Sequence, residues 1–539
     1  MKKPKLHSSK LWIAAALFMG TVAVLVVTEP SIGLTWDEPT YIAASESYIS
    51  WMGILITQPA YALSDQGIQK YWSINHESSP FDKICSGLVW SVSRRFLNDR
   101  SAHRLGNMLL SGLLTAMVFL MVAQDYGLTA GLAASFALLT MPRFFFHQHL
   151  AALDVPVSVM IFAVGFVFWQ TKDRQGWKWT LLLGVVWGLA LSTKINALFI
   201  PAILLPLWTL FLHRRRYLFN RLLYAGAIGV FVSAVLWPWI YYDPINRIKD
   251  FLSFMTLHHY EVFQYYLGHR YAPPNWHFSY IITLLVVPFS LTILYFLGAL
   301  RAVLHWKMHP MAIFFIFGGL VSIMVVANEI SQVFDNERLL MPAFPFLAAL
   351  AGVGFDWLWS GIRHWAGSFN HRALDAGLLI LLIIIVFVPH LYTAARLYPH
   401  LLSYYSEAVG GLPGAVRLGF ETTYWCETYA SVLTFINQAA PQNAVVWGEC
   451  RDVLFYYQRE GDLRPDIRVA GGSTIESIFP GLRAHPAAFD QADLAIIQVR
   501  ESGFTQALEA WLAQRQPAYQ IEHRGIRLIG VFMQAQSER

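Results

Sequence analysis

Apolar and polar positions are segregated along this chain in long blocks. Runs of about twenty apolar residues recur between Leu11 and Thr393, and most are long enough to cross a bilayer as a helix. The pattern predicts about eleven spans, near residues 11–28, 103–123, 128–141, 152–170, 178–193, 195–212, 222–241, 278–300, 310–327, 342–360 and 374–393. The break at Thr193-Lys194-Ile195-Asn196 leaves a second reading open, in which 178–212 is one long helix.

Between the spans the pattern changes period. After Trp36-Asp37-Glu38-Pro39, an acid followed by proline as at a helix start, come Tyr41, Ala44, Tyr48 and Trp51 at helical spacing. A helix on the membrane surface is expected there. A second one is expected after Ser79-Pro80, with Phe81, Ile84, Leu88, Val92 and Phe96 on one face and Lys83 on another. Beyond Thr393 the runs shorten. Ala444–Trp447, Leu494–Ile497 and Ile526–Phe532 read as strands, and 427–438 and 503–515 as helices. The expected organisation is a polytopic α-helical membrane domain, 1–393, and a small α/β extracytoplasmic domain, 394–539.

Composition agrees. Charged residues make up 14% of the 539, against about 25% in soluble proteins. The net charge of +5 is carried mostly in short loops, so nucleic acid is not an expected partner and membrane lipids are. Lys2, Lys3, Lys5, Lys10, Lys172, Arg174, Lys178, Arg214, Arg215, Arg216, Arg221, Arg301, Lys307, Arg363 and Arg372 all fall on one side of the predicted spans. The positive-inside rule makes that side the cytoplasm, with the N-terminus inside. The long connections 29–102 and 242–277 and the C-terminal domain then lie outside a cell inner (plasma) membrane. Cys85, Cys426 and Cys450 form no C-x-x-C pair, which gives no support to a zinc or redox site, and a Cys426–Cys450 disulfide is open to an oxidising compartment.

The candidate chemistry gathers at the outer rim. Asp37 and Glu38 sit at a helix N-terminus, where the dipole favours the ionised carboxylate that could take a hydroxyl proton. Asp154 opens an apolar span beside His147 and His149, a costly place for an unpaired charge. For each acid the plain alternative is a helix cap. Arg338, Lys83 and Lys194 suit a phosphate or are interface cations. His258 and His259, with Glu261, His269 and Arg270, form an aromatic-rich loop that could hold a sugar. P-loop, Rossmann, G-x-S-x-G and H-E-x-x-H patterns are missing, which argues against a nucleotide-driven pump and against hydrolases of those types.

Several short motifs, in order, resemble a known family. They are Trp36-Asp37-Glu38-Pro39-x-Tyr41, Pro142-Arg143-Phe144-Phe145-Phe146-His147 through Asp154-Val155-Pro156, and Arg338-Leu339-x-x-Pro342-x-x-Pro345. Tyr404-Tyr405, Gly410-Gly411-x-Pro413-Gly414-Ala415 and Glu421-Thr422-Thr423-Tyr424-Trp425 extend the series to about residue 430. Together they resemble the GT-C membrane glycosyltransferases, in the bacterial branch related to protein O-mannosyltransferases and the lipid A aminoarabinose transferase. The resemblance implies an inverting transfer from a polyprenyl-phosphate sugar donor to a glycan, lipid or protein hydroxyl. Asp37 would be the base, and Asp154 would orient the site or help hold a divalent metal ion. Lys83 and Arg338 would hold the donor phosphate, with Glu38, His258 and His259 as further substrate-binding candidates. His76 and Glu77 stay unassigned, as do the sugar, the acceptor and any metal. A transporter or flippase of lipid-linked glycans, or a membrane anchor for a binding domain, are the rival readings.

Overall fold

The computed structural model describes residues 8–210, 215–257, 263–272, 274–327, 333, 335–366, 372–472 and 477–534. Its first four-fifths are helical. Six helices are long and apolar enough to cross a membrane: Ser8–Ser31, Asp99–Tyr126, Asp154–Thr171, Arg216–Val235, Arg338–Ala366 and Ala373–Leu397. Four shorter apolar helices accompany them, Leu128–Thr140, Trp177–Leu191, Asn196–Leu210 and Pro310–Met324. The run 178–212 is therefore two helices, broken at the segment that carries Lys194. The run 278–300, expected to be one straight span, is a pair of helices, Phe278–Leu285 and Phe289–Leu304, bent by 117°. Pro288 lies in the break, where it cannot continue a helix.

Burial separates the helices into an inner and an outer set. Asp154–Thr171 and Arg338–Ala366 are 83% buried over their apolar windows, whereas Ala373–Leu397 is 22% buried and leaves Ile380, Ile384 and Ile385 exposed. A helix that is apolar all round but exposed needs lipid as its solvent. The inner helices approach closely at glycines. A Cβ on Gly298 would lie 2.0 Å from the Leu350 carbonyl oxygen, and one on Gly354 would lie 2.1 Å from that of Leu294. Small residues allow such contacts between apolar helices. They fix the height of the Phe344–Ala366 helix, whose N-terminal approach carries Arg338.

The two loop helices expected in 29–102 form as Glu38–Thr57 and Phe81–Ser93. Their surroundings differ from expectation. Ala44, Tyr48 and Trp51 pack with Ala62, Ile68, Trp72 and Ile84 in a small buried core. The stripe read as facing the membrane surface faces protein instead, because the short helix Asp65–Trp72 folds back and covers it.

The seven strands among the described residues make two sheets. β1 (Gln264–Tyr266) and β2 (His269–Tyr271) form a hairpin in the loop 242–277. Its turn residues Leu267 and Gly268 both have positive φ. β3 (Val445–Gly448), β4 (Arg468–Ala470), β5 (Leu494–Gln498), β6 (Tyr519–His523) and β7 (Ile526–Met533) form a five-stranded sheet of order β4-β3-β5-β7-β6. β3 runs parallel to β4 and β5, and β7 is antiparallel to β5 and β6. The three central strands are the apolar runs read from the sequence. β4 and β6 at the edges escaped that reading because they alternate or carry polar residues. The helices Arg451–Glu460 and Gln506–Ala513 complete an α/β domain. Cys426 and Cys450 are disulfide-bonded, with Cα atoms 6.4 Å apart, and tie this domain to the segment that precedes it.

Candidate functional site

Arg338 is the hub of the site. Its guanidinium donates through Nη2 to Asp37 Oδ2 at 2.6 Å, through Nε to Asp154 Oδ2 at 3.1 Å and through Nη1 to Asp335 Oδ2 at 2.7 Å. Lys194 Nζ donates to the other Asp154 oxygen at 2.7 Å. Arg500 from the C-terminal domain donates to the other Asp335 oxygen at 2.9 Å. The Trp425 ring lies under the Arg338 guanidinium, with its centroid 3.7 Å from the central carbon. Residues more than 300 positions apart in sequence thus meet at one point. The fork geometry of arginine is what lets one side chain hold three carboxylates at once.

Neither acid acts as a cap. The Glu38–Thr57 helix has Asp37 at its N-cap position, but the side chain makes no capping hydrogen bond. Asp154 begins its helix with both oxygens turned to cations. The two acids differ in access. Asp154 is buried, while 27% of the Asp37 side chain is exposed. Burial pushes the Asp37 carboxyl above the ordinary carboxylate range, the nearby Asp335 and Asp154 charges add to this, and Arg338 opposes it.

The backbone around the hub is unusual. Asp335 and Asn336 have φ of 53° and 54°, and Trp425 and Cys426 have 70° and 66°. Left-handed residues other than glycine cost of order 1–3 kcal/mol each and persist where their surroundings over-determine them. Those surroundings are visible. The side-chain amide of Gln264 accepts from Asn336 N at 3.0 Å, and that of Gln498 accepts from Cys426 N at 2.8 Å. Trp36 N donates to the Trp425 carbonyl at 3.0 Å. These turns present Asp335 and Trp425 to Arg338.

The other expected residues divide. Lys83 is buried and donates to Asn75 Oδ1 at 2.7 Å and to the Ser78 carbonyl at 3.0 Å, with the Tyr41 ring 5.7 Å away. Burial lowers its ammonium to about 8, against the opposing pull of Asp82 and Glu77. Burial likewise raises Asp82 to about 7, with Lys83 opposing and Asp154 adding to the rise. Asp82 is therefore within electrostatic reach of the hub, and Lys83 stands beside Asp82. Glu77 sits behind them, accepting from Asn75 Nδ2 at 2.7 Å, and His76 rests against Trp239. Glu38 points elsewhere. Its oxygens take Arg104 Nε at 2.8 Å and Nη2 at 2.7 Å, together with the backbone N–H groups of Thr35 and Ala151. With no exposed surface and every lone pair directed at protein, Glu38 has none to offer a substrate. His147 faces Tyr424 and Glu337, and His149 faces Thr28 and the Phe145 carbonyl, so the two rings do not converge on one ion. His258 and His259 lie outside the described residues.

Sequence reasoning gave no role to four residues of this network, although Arg143 and Trp425 stand in the motifs quoted above. Asp335, Arg500 and Trp425 contact Arg338 or its partners. Arg143 donates to Glu337 Oε2 at 2.6 Å and to the Tyr404 carbonyl at 2.8 Å, bracing the segment just before Arg338. A buried arginine in an apolar stretch, and an acid three residues before Arg338, were the available signals.

Residues 86–242 match the family described as dolichyl-phosphate-mannose-protein mannosyltransferase. A search of curated proteins gives no match. The crystal structure of ArnT from Cupriavidus metallidurans bound to undecaprenyl phosphate is similar over 97% of this chain and 98% of its own, at 16% identity and a TM-score of 0.51. The apo structure of the same protein is similar over the same shares at 16% identity, with a TM-score of 0.52. At that identity the likeness speaks for the fold. The chain is a multi-pass membrane protein with the GT-C glycosyltransferase fold, and its segment 86–242, which holds Arg143, Asp154 and Lys194, matches the protein mannosyltransferase family.

Proposed function

We propose that this protein is an inverting glycosyltransferase that moves a sugar from a polyprenyl-phosphate donor to an acceptor hydroxyl at the outer face of the plasma membrane. The observation that carries the reading is the three-carboxylate hub on Arg338, in which one acid, Asp37, keeps exposed surface. Arg338 holds only one of the Asp37 oxygens, and Oδ1 makes no hydrogen bond among the described residues. That oxygen takes the proton of the acceptor hydroxyl. The acceptor oxygen then bonds to the anomeric carbon from the face opposite the lipid, the bond from that carbon to the phosphate oxygen breaks, and polyprenyl phosphate leaves with the electron pair. One base and a departing phosphate on opposite faces give inversion. The raised affinity of Asp37 for a proton matches this role, since a base of ordinary carboxylate strength is a poor acceptor near neutral pH.

The leaving phosphate needs cations with capacity to spare. Arg338 is an unexpected poor candidate, because each of its three nitrogens is directed at a carboxylate. We assign it to positioning Asp37. Lys194 spends one hydrogen bond on Asp154 and keeps exposed surface, and the hydrogen-bond partners of Lys83 among the described residues are neutral oxygens, so we assign these two as the phosphate-binding groups. Asp154 holds Lys194 and Arg338 apart and in register. The fit of a divalent metal at Asp154 is poor, since both of its oxygens already accept from cations, and no step is routed through one. The placement of the site on the outer face rests on the basic cytoplasmic loops and on the disulfide of the C-terminal domain. Sugar and acceptor are outside what these contacts select.

Purified wild-type protein and Asp37→Asn, each given a panel of polyprenyl-phosphate sugars and membrane-extract acceptors, test the reading. Wild type transfers sugar and Asp37→Asn is slower by about 10²- to 10⁴-fold, the span general bases contribute. Undiminished transfer by the variant removes Asp37 as base. Translocation of a lipid-linked glycan without transfer favours the flippase reading.

A further inference from the structure

Outside the network around Arg338, Glu46, Asp99 and His103 bring three potential ligand atoms within 4.8 Å of one another. Glu46 comes from the Glu38–Thr57 helix, and Asp99 and His103 open the Asp99–Tyr126 helix. His103 is fully buried, and its Nε2 has no hydrogen-bond partner. That nitrogen lies 3.6 Å from Glu46 Oε1 and 4.0 Å from Asp99 Oδ1.

The contacts of the other ring nitrogen bear on the tautomer. Nδ1 faces two hydroxyls, Ser45 Oγ at 3.1 Å and Ser86 Oγ at 3.3 Å. Both hydroxyl protons are directed elsewhere, to the Ile42 carbonyl at 2.8 Å and the His103 carbonyl at 2.9 Å. Both oxygens can then accept from the ring, and we assign the ring proton to Nδ1 on that ground. Nε2 then carries a lone pair aimed at two carboxylates, an arrangement that calls for a cation between them. The supporting contacts match those around metal ligands, where the second imidazole nitrogen is held by a hydrogen bond and the carboxylates are oriented by donors. Trp90 Nε1 donates to Asp99 Oδ1 at 2.7 Å, and Tyr456 Oη donates to Asp99 Oδ2 at 2.9 Å.

We propose that Glu46, Asp99 and His103 form a binding site for a divalent transition metal of the zinc class. One imidazole and two carboxylates suit that ion, with water in the remaining position. Around tetrahedral zinc, ligand atoms stand about 3.4 Å apart, so sub-ångström movements close the site. Arg459, on the C-terminal domain helix Arg451–Glu460, now supplies positive charge, with Nη2 at 2.7 Å from Asp99 Oδ2 and 3.4 Å from Glu46 Oε1. Its side chain is partly exposed and also pairs with Glu460, Nε to Oε1 at 3.0 Å. Metal and arginine compete for the same carboxylates, so the ion would replace a clamp between the two domains with one inside the membrane domain.

The test uses full-length protein in detergent, with any affinity tag removed, stripped with EDTA and titrated with Zn²⁺ alone by calorimetry. Wild type takes up one Zn²⁺ per chain. His103→Gln and Glu46→Gln each lose tenfold or more in affinity, and the second variant guards against misfolding of the first. Arg459→Gln binds more tightly than wild type, because its competing charge is gone. The readout is independent of sugar transfer. No uptake by wild type, equal uptake by the His103 and Glu46 variants, or unchanged or weaker binding by Arg459→Gln would each overturn the proposal.

Discussion

At the scale of single residues, the site is a problem in electrostatics solved by one guanidinium. Three carboxylates within reach of one another repel, and burial raises the cost of each charge. Arg338 offsets both effects, and Lys194 and Arg500 take the remaining oxygens of Asp154 and Asp335. Lysine in place of Arg338 would keep the charge but lose the fork, so it could hold one carboxylate at a time. Arg338→Lys is expected to lower the turnover number about 10²-fold, the loss that a displacement of about 1 Å at a catalytic group can cause. Its thermal unfolding, followed in parallel, separates a misplaced base from a failure to fold. The Asp37 carboxyl has a folded-state affinity for protons above the ordinary carboxylate range, and the base works only when ionised. The acid limb of the kcat/KM profile therefore lies at higher pH than that of an unperturbed aspartate. A limb at the ordinary carboxylate position would contradict the role.

At the scale of elements, the segment between the last span and the sheet does more than connect them. Tyr404, Tyr424 and Trp425 are buried with Ile32, Phe146 and Leu150 of the membrane domain, while Tyr429, Val432 and Ile436 pack into the core under the sheet. Two acids cross this junction in reciprocal fashion. Glu421 accepts from Ser502 N at 2.9 Å, and Glu501 accepts from Thr422 N at 2.9 Å. Burial, and then the Glu501 charge, push the Glu421 carboxyl from 4.5 up to about 8. A group whose folded pKa is raised binds more protons in the native state than in the unfolded chain between the two values. Stability contributed by it is complete below the unfolded value near 4.5 and declines as pH rises toward 8. The unfolding midpoint of wild type is expected to fall across that window, and that of Glu421→Gln to fall less. Parallel curves for the two proteins would show that Glu421 does not carry the effect.

At the scale of the whole molecule, the exposed apolar girdle of the outer helices meets lipid, and the α/β domain caps one end. The domain completes the site, because Arg500 and Trp425 reach the hub from the C-terminal third. It is also covalently held, since the Cys426–Cys450 disulfide closes a loop with a sequence separation of 24. Removing such a cross-link costs about 3 kcal/mol in the chain-entropy picture. Cys450→Ser, or treatment with a reductant, is expected to lower the thermal midpoint of the detergent-purified protein and to reduce transfer at temperatures near it. A midpoint indifferent to reductant would mean that the bond is not closed in the cell-derived protein.

How much of this was legible in the chain follows from the range of each interaction. The apolar runs, the loop helices beginning near Glu38 and Phe81, and the three central strands were readable, because periodicity and length record whether lipid, protein or water surrounds a segment. The order of the short motifs was enough to point to the GT-C fold. Asp154 stood out as a charge where an apolar span makes charge expensive, Asp37 as an acid at a helix start and Arg338 as a cation at the outer end of a span. The residues alone left their roles open, and only the family resemblance implied a base at Asp37 and a phosphate ligand at Arg338. The sequence offers the same cap reading for Asp37 and Glu38, and it is the fold that turns Asp37 toward Arg338 and seals Glu38 against Arg104. Likewise the apolar stripe of the first loop helix says that it must be covered, but only the return of Asp65–Trp72 decides that protein rather than membrane does so. A local pattern can fix which groups must find partners. Arg338 draws partners from residues 37, 154, 335 and 425, and only tertiary packing brings those four together.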